Sequence, residues 1–331
     1  MFQTELNLWL QTFDSAFLIN LMNMVSDLGN APVYVLLFLG FSFGAKLRQG
    51  MAVLVALMIC QLMTDTLKIT IAFPRPDDID SRIIKPGEEP PVSIIDTGGA
   101  PSFFALPPAE AIEAVRADPE SGSYGIPSGH TSAAAAFFFG LAFFFRSKRL
   151  LVFACFWVPL MALSRMYLGR HFLGDVLGGV TVGMVSIFLA GLLLRSRLLD
   201  RAAAETIRSL LPLTAFAFLI VLVIPFIASV DTQYAGMLWG GIVAYSLLAL
   251  SGPHSDDGTG WQRTGRVSLA ILLYVAANSL LNELLAALGW EEARIAEFVV
   301  NLVVVGTTLC GAITISRSLD WYRVKRVAET H

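Results

Sequence analysis

Charge is scarce in this chain. Asp, Glu, Lys and Arg make up 15 % of its 331 residues, where a soluble globular protein carries about 25 %. That shortage excludes a soluble Rossmann-type enzyme, a collagen and a disordered chain. The net charge of −3 leaves no general basic surface, so nucleic acid is not an expected partner. Cysteine is scarce too. Cys60, Cys155 and Cys310 sit in apolar runs without a CxxC spacing, which argues against a disulfide framework or a thiolate metal site. The first residues, Met1 to Glu5, lack the basic start of a cleavable signal, so the first spanning helix is expected to direct insertion. Histidine occurs only four times, at 130, 171, 254 and 331.

What the chain has in abundance is apolar sequence: 55 % hydrophobic residues and a mean hydropathy of +0.66. This predicts an all-α, polytopic membrane helix bundle. A span needs about 20 apolar residues. Such runs lie at 31–46, 50–73, 129–145, 149–167, 172–195, 210–230, 235–251, 267–288 and 296–316, predicting about nine transmembrane helices. Segment 12–28 carries Asp14, Asn20, Asn23 and Asp27, which are expensive in lipid. It reads as an interfacial helix anchored by Trp9 and Phe13.

Alternate loops, at 46–49, 146–149, 195–208, 252–266 and after 316, hold 15 of the 23 Lys and Arg. That side is expected to be cytoplasmic, with the C-terminus on it. Residues 77–128 form a long loop on the opposite, extracytoplasmic face, with ten acids against Arg82, Lys85 and Arg116. Within it, Pro107-Pro108 followed by 109–117 predicts one short helix. A loop of this length is either a solvated excursion or a lid. The domain reading is a core over 1–195, a basic cytoplasmic linker over 196–209, and further helices with a cytoplasmic tail over 210–331.

Three charged clusters fall at the outer ends of spans, where charge marks function. The first runs from Lys68 to Arg75 and Pro76. The two cations are two helical turns apart, and Asp65 is placed to pair with Lys68. The second is Pro127-Ser128-Gly129-His130 at the start of a span. Ser128 is an N-cap candidate, and the helix end behind it is an anion site that Gly129 leaves open. The third runs from Ser164-Arg165 to His171 and Asp175. His171 and Asp175 share a helix face, so the carboxylate can hold one ring nitrogen and leave the other as nucleophile or base. Arg165 can fork onto a phosphate. Two histidines, three cations, a helix N-terminus and an Asp behind a His suit a tetrahedral anion. Three cations would repel a divalent ion, so no metal and no cofactor is expected. Gly174, Gly178, Gly179 and Gly183 read as a close helix-packing face.

These motifs resemble the three signatures of the type-2 phosphatidic acid phosphatase superfamily, the lipid phosphate phosphatases. The family pattern is Lys, six residues, Arg-Pro; then Pro-Ser-Gly-His; then Ser-Arg, five residues, His, three residues, Asp. All eleven fixed positions occur in order. The resemblance spans roughly residues 10–195 and leaves 196–331 unexplained. It implies a six-helix-type phosphatase core with extra C-terminal helices. Some sphingoid-base phosphatases and glucose-6-phosphatases of the superfamily also carry extra spans.

The resemblance implies catalysis by His171, His130 and Asp175. His171 attacks phosphorus to form a phosphohistidine and Asp175 orients it. His130 protonates the leaving oxygen and then activates water. Lys68, Arg75, Ser128, Gly129 and Arg165 bind the phosphate. The expected partner is a lipid phosphate monoester or diphosphate in the membrane: phosphatidic acid, phosphatidylglycerophosphate, a polyprenyl diphosphate or a phosphorylated sphingoid base. The expected location is a bacterial inner membrane. The alternatives are a lipid phosphotransferase using the same phosphohistidine and a lipid or solute transporter. Haloperoxidases share this anion site in soluble proteins, and the membrane composition argues against one. Asn278, Asn282 and Glu283 in the 267–288 span suggest interhelical hydrogen bonds or, more sharply, a proton or headgroup contact.

Overall fold

A computed structural model describes residues 1–86, 93–117, 124–195, 231–250, 254–290 and 293–324. The expected linker at 196–209 and the expected span at 210–230 lie outside these residues. The chain divides into two compact units: Met1–Tyr34 with Ile59–Phe188, and Val35–Met58 with Leu189–His331.

The described residues are helical, apart from one short antiparallel pair, β1 (His254–Ser255) with β2 (Arg323–Val324). Among the described residues, five helical segments are long and apolar enough to cross a membrane: Leu47–Ile79, Lys148–Tyr167, Leu173–Leu192, Gly260–Leu288 and Arg294–Ser318. A sixth is added if the bent pair Ala16–Asp27 and Ala31–Gly44 is one span. This makes the chain an integral membrane protein, and it corrects the expected nine-helix bundle. Hydropathy alone scored several runs that geometry does not credit. The 31–46 run is a 14-residue helix bent by 59° from its predecessor. The 129–145 run is a shorter apolar helix. The 235–251 run is helical over Thr232–Leu250 and is not among the five.

The first unit opens with α1 (Glu5–Gln11) and α2 (Ala16–Asp27). Ser15 caps α2, its hydroxyl accepting from the Leu18 amide. The expected interfacial segment 12–28 is therefore helical, and Trp9 and Phe13 are both exposed and stacked edge to face. The chain leaves the first unit within α3 (Ala31–Gly44) and re-enters it within α4 (Leu47–Ile71), which ends at Ala72, whose φ of 49° breaks the helix before either proline is reached. A single turn, α5 (Pro76–Ile79), follows.

The long loop is folded over its described residues. It contains α6 (Ala109–Ala117), at the expected bounds. Ile79, Ala100 and Ala111 pack with Phe2 and Phe172 in one buried cluster. Two of its acids are buried and paired. Buried Asp77 pairs with Lys85, and buried Asp80 takes Arg82 at 2.8 Å. That pairing holds the Asp80 carboxyl below the usual carboxylate range.

The core of this unit is α7 (Gly129–Ala134), a π-helical turn (Ala135–Phe139), α8 (Gly140–Phe145), α9 (Lys148–Tyr167) and α10 (Leu173–Arg195). The glycine face of α10 does pack closely. A methyl group at Gly179 would stand 2.7 Å from the Ser128 carbonyl, and one at Gly183 would stand 2.6 Å from the Ala135 side chain. Lipid is as apolar as leucine, so backbones that approach this near are held by dispersion.

In the second unit α11 (Thr232–Leu250) packs on α13 (Arg294–Ser318), and α13 also packs on α12 (Gly260–Leu288). Gly236 and Gly240 abut the Phe298 and Leu302 carbonyls. Thr259 and Gln262 form a capping box at the start of α12. One turn later the buried Arg266 guanidinium stands 4.2 Å over the Tyr322 ring.

Candidate active site

The first unit brings the three sequence clusters together. Lys68 lies in the last turn of α4, and Arg75 is the N-cap of α5. The helix ends at Ile71, between the two cations, so they are not carried on one continuous helix face. The cations nonetheless stay within electrostatic reach of each other, and Asp65 also acts on Lys68. The Arg75 amide donates to Asp78 at 2.7 Å, which fixes the turn.

Ser128 stands at the N-cap of α7 with an extended backbone, and its amide donates to the Asp175 carbonyl at 2.9 Å. Its side chain makes no capping bond. Instead the Ser128 hydroxyl accepts from the Thr131 hydroxyl at 3.1 Å. Gly129 opens the helix beside Lys68. A Cβ there would lie 4.0 Å from the Lys68 ammonium nitrogen, so the glycine leaves that side uncrowded. His130 follows in the first turn.

Arg165 is the buried basic residue in the last turn of α9. The chain then reverses through Gly169, whose φ of 68° suits glycine. His171 ends the reversal and is 2 % exposed. Asp175, fully buried in the first turn of α10, places Oδ2 3.4 Å from His171 Nδ1 and accepts from the Phe172 amide at 2.9 Å. The pairing occupies the Nδ1 side of the ring and leaves Nε2 for chemistry. Burial pushes His171 well below the ordinary histidine range, and Arg75, Arg165, Lys68 and His130 push it the same way. An imidazole that stays neutral amid fixed cations has the chemistry a nucleophile needs.

His130 feels Arg165, Lys68, Arg75 and Arg170. All eight residues read from the sequence thus gather at one end of the unit. Sequence reasoning left out Arg170, whose only signal was its place next to His171. It also missed the support from the first two helices. Asn7 of α1 donates to the Met166 and His171 carbonyls, and Gln11 donates to the Tyr167 carbonyl at 3.0 Å. Ser26 of α2 accepts a short hydrogen bond from Arg165. Gly29 lies against the His130 ring, where a Cβ would come within 2.6 Å.

Residues 49–198 match the PAP2 superfamily. The chain carries a PAP2-superfamily domain. Neither a curated protein nor a solved structure matches the chain. All eight gathered residues fall inside the PAP2 domain, while α1, α2 and α3 precede it. A PAP2 domain in a chain with membrane-length apolar helices is a membrane-associated hydrolase of that general class.

Proposed function

We propose that the protein is a metal-independent phosphatase that hydrolyses lipid phosphate monoesters or diphosphates at the extracytoplasmic face of a bacterial inner membrane. The reaction passes through a phosphohistidine on His171. The observation that carries this reading is the buried His171–Asp175 pair, 3.4 Å apart, in the field of Lys68, Arg75 and Arg165.

In the first step, His171 Nε2 forms a bond to phosphorus as the bond from phosphorus to the lipid oxygen breaks, and His130 donates a proton to the departing alkoxide. Asp175 stabilises the ring as it gains positive character. In the second step, His130 takes a proton from water, whose oxygen attacks the phosphohistidine and releases inorganic phosphate. Lys68, Arg75 and Arg165 balance the charge on the equatorial oxygens, with the Ser128 hydroxyl and Gly129 amide beside them. Fixed cations do here what a metal ion does in other phosphatases.

The substrate's amphiphilic nature follows from where the groups stand. Lys68 and Arg165 close the ends of apolar helices, so a phosphate can reach them while its acyl or prenyl tail stays in lipid. Two acids of the long loop, Asp77 and Asp80, are balanced by Lys85 and Arg82 and so oppose such an anion less. The Lys and Arg surplus in the opposite set of loops supports the outward face.

The test is phosphate release by detergent-purified protein in excess chelator. The panel is phosphatidic acid, phosphatidylglycerophosphate, a polyprenyl diphosphate, a phosphorylated sphingoid base and glucose 6-phosphate, each beside His171→Ala. Chelator-insensitive release from a lipid, lost in the variant, is the expected result. Release that survives His171→Ala, or that chelator stops, rejects the mechanism.

A further inference from the structure

The matched PAP2 domain begins at residue 49, yet side chains ahead of it hold two of its reactive groups in place. Asn7 is fully buried in α1, with no chemistry of its own. Its amide nitrogen donates to the Met166 carbonyl at 2.8 Å and to the His171 carbonyl at 3.0 Å. The first acceptor is in the last turn of α9 and also takes the Gly169 amide at 3.1 Å. The second belongs to the nucleophile candidate itself. One amide therefore bridges the two ends of the reversal at 167–170 and fixes the backbone from which the His171 ring projects. The ring's other restraint, Asp175, sits on α10. Asn7 supplies the restraint from the opposite side.

Ser26 does a different job. It is buried on α2, and its hydroxyl accepts from Arg165 Nη1. A guanidinium recognises phosphate by presenting a rigid fork, so a bond to one nitrogen sets the plane in which the others point. Gly29, less than one turn further, leaves room for the His130 ring.

We infer that Asn7 and Ser26 are positioning residues of this site, Asn7 for the His171 imidazole and Ser26 for the Arg165 guanidinium. The inference rests on the phosphatase reading given above. Its signature is a split. Nucleophile placement governs turnover, whereas guanidinium placement governs affinity for the phosphoryl group. A merely structural role would lower both together, along with the melting temperature.

The experiment uses the full chain in detergent, with titration calorimetry of inorganic phosphate and kinetics of phosphate release from phosphatidic acid. Ser26→Ala is expected to weaken phosphate binding and raise KM by about tenfold, with Ser26→Thr restoring both because it keeps the hydroxyl. Asn7→Ala is expected to lower kcat by about 10- to 100-fold with phosphate affinity close to wild type. Asn7→Ser, which keeps one donor, falls between and covers the case where the alanine variant does not fold. Wild-type behaviour of both alanine variants overturns the inference, as does an equal loss of kcat and affinity in step with a lower melting temperature. A wild-type protein that binds phosphate but hydrolyses none of the lipids rejects the phosphatase reading. The Ser26 pair then decides the inference by calorimetry alone, standing if affinity falls in alanine and returns in threonine.

Discussion

Two glycine-bearing helices show how differently the two units of this protein use the same device. In α10, Gly179 and Gly183 seat the helix against the backbone of Ser128 to Ala136, the main chain that opens the anion-facing helix. In α11, Gly236 and Gly240 seat the helix against the Phe298 and Leu302 carbonyls, deep in an apolar pair. Close approach is the same source of stability in both. In the first unit it also sets the spacing of charged groups, since Ser128 bonds to Asp175 across the same contact. In the second, the long helix α12 is largely exposed. Packing is therefore coupled to chemistry in one unit and to membrane residence in the other.

The sharpest way to break that contrast is at the reacting group. His171→Ala is expected to lower kcat for phosphate release by at least about 10³-fold, because no other group can take over bond formation. A surviving rate would remove the chemical half of the comparison. Next is the packing. Gly179→Leu drives a side chain into the Ser128 carbonyl and should reduce kcat about 10²-fold, as misplacement near an ångström does. Gly236→Leu should lower the melting temperature in detergent while folded molecules keep kcat within about twofold, if overpacking there costs the usual 1–3 kcal/mol and nothing else. Equal activity losses in the two glycine variants would erase the distinction.

A smaller effect concerns pH. His171 is held below its ordinary value of 6.5 by burial and the surrounding cations. Its folded form prefers to be neutral, so the nucleophile survives as pH falls through 6.5, and the acid limb of kcat/KM should lie below that value. Stability runs the other way. Unfolded His171 takes up a proton near pH 6.5 and the native ring does not, so folding free energy declines below that pH. A kcat/KM profile whose acid limb sits at or above 6.5 would contradict the buried, cation-flanked ring. The smallest expected effect is at Glu283, which is exposed on α12. Glu283→Gln should leave phosphate release within about twofold.

The reactive residues were legible in the sequence because they sit within a few positions of one another. His171 and Asp175 are one helical turn apart, and Ser128 to His130 are contiguous, so local spacing carries their geometry. Helix α6 was legible through Pro107-Pro108, and the α10 packing face through four-residue glycine spacing. The supporting residues were not legible. Asn7 and Ser26 reach partners 139 to 164 positions away, and nothing in an Asn or Ser on an apolar helix announces a distant acceptor. The Asn282 side-chain amide donates to the Asn278 carbonyl of its own helix at 2.8 Å. The span count failed for a related reason. Hydropathy measures how apolar a run is, and it is blind to the 59° bend that breaks α2 from α3.

The π-helical turn at Ala135–Phe139 has a consequence for how the domain tolerates change in length. A bond from i to i+5 encloses one residue more than the usual i to i+4 bond. The helix that starts at His130 therefore carries a surplus residue just past the glycine contact of α10. Removing one alanine at 135 or 136 would let the turn relax to ordinary α geometry, with Gly129 and His130 keeping their register against α10 and the Phe140s segment drawn in by one position. The turn acts as slack in the chain, and a single-residue deletion is better absorbed there than between Ser164 and Asp175, where Asn7, Gln11 and Asp175 hold the Met166, Tyr167 and His171 positions.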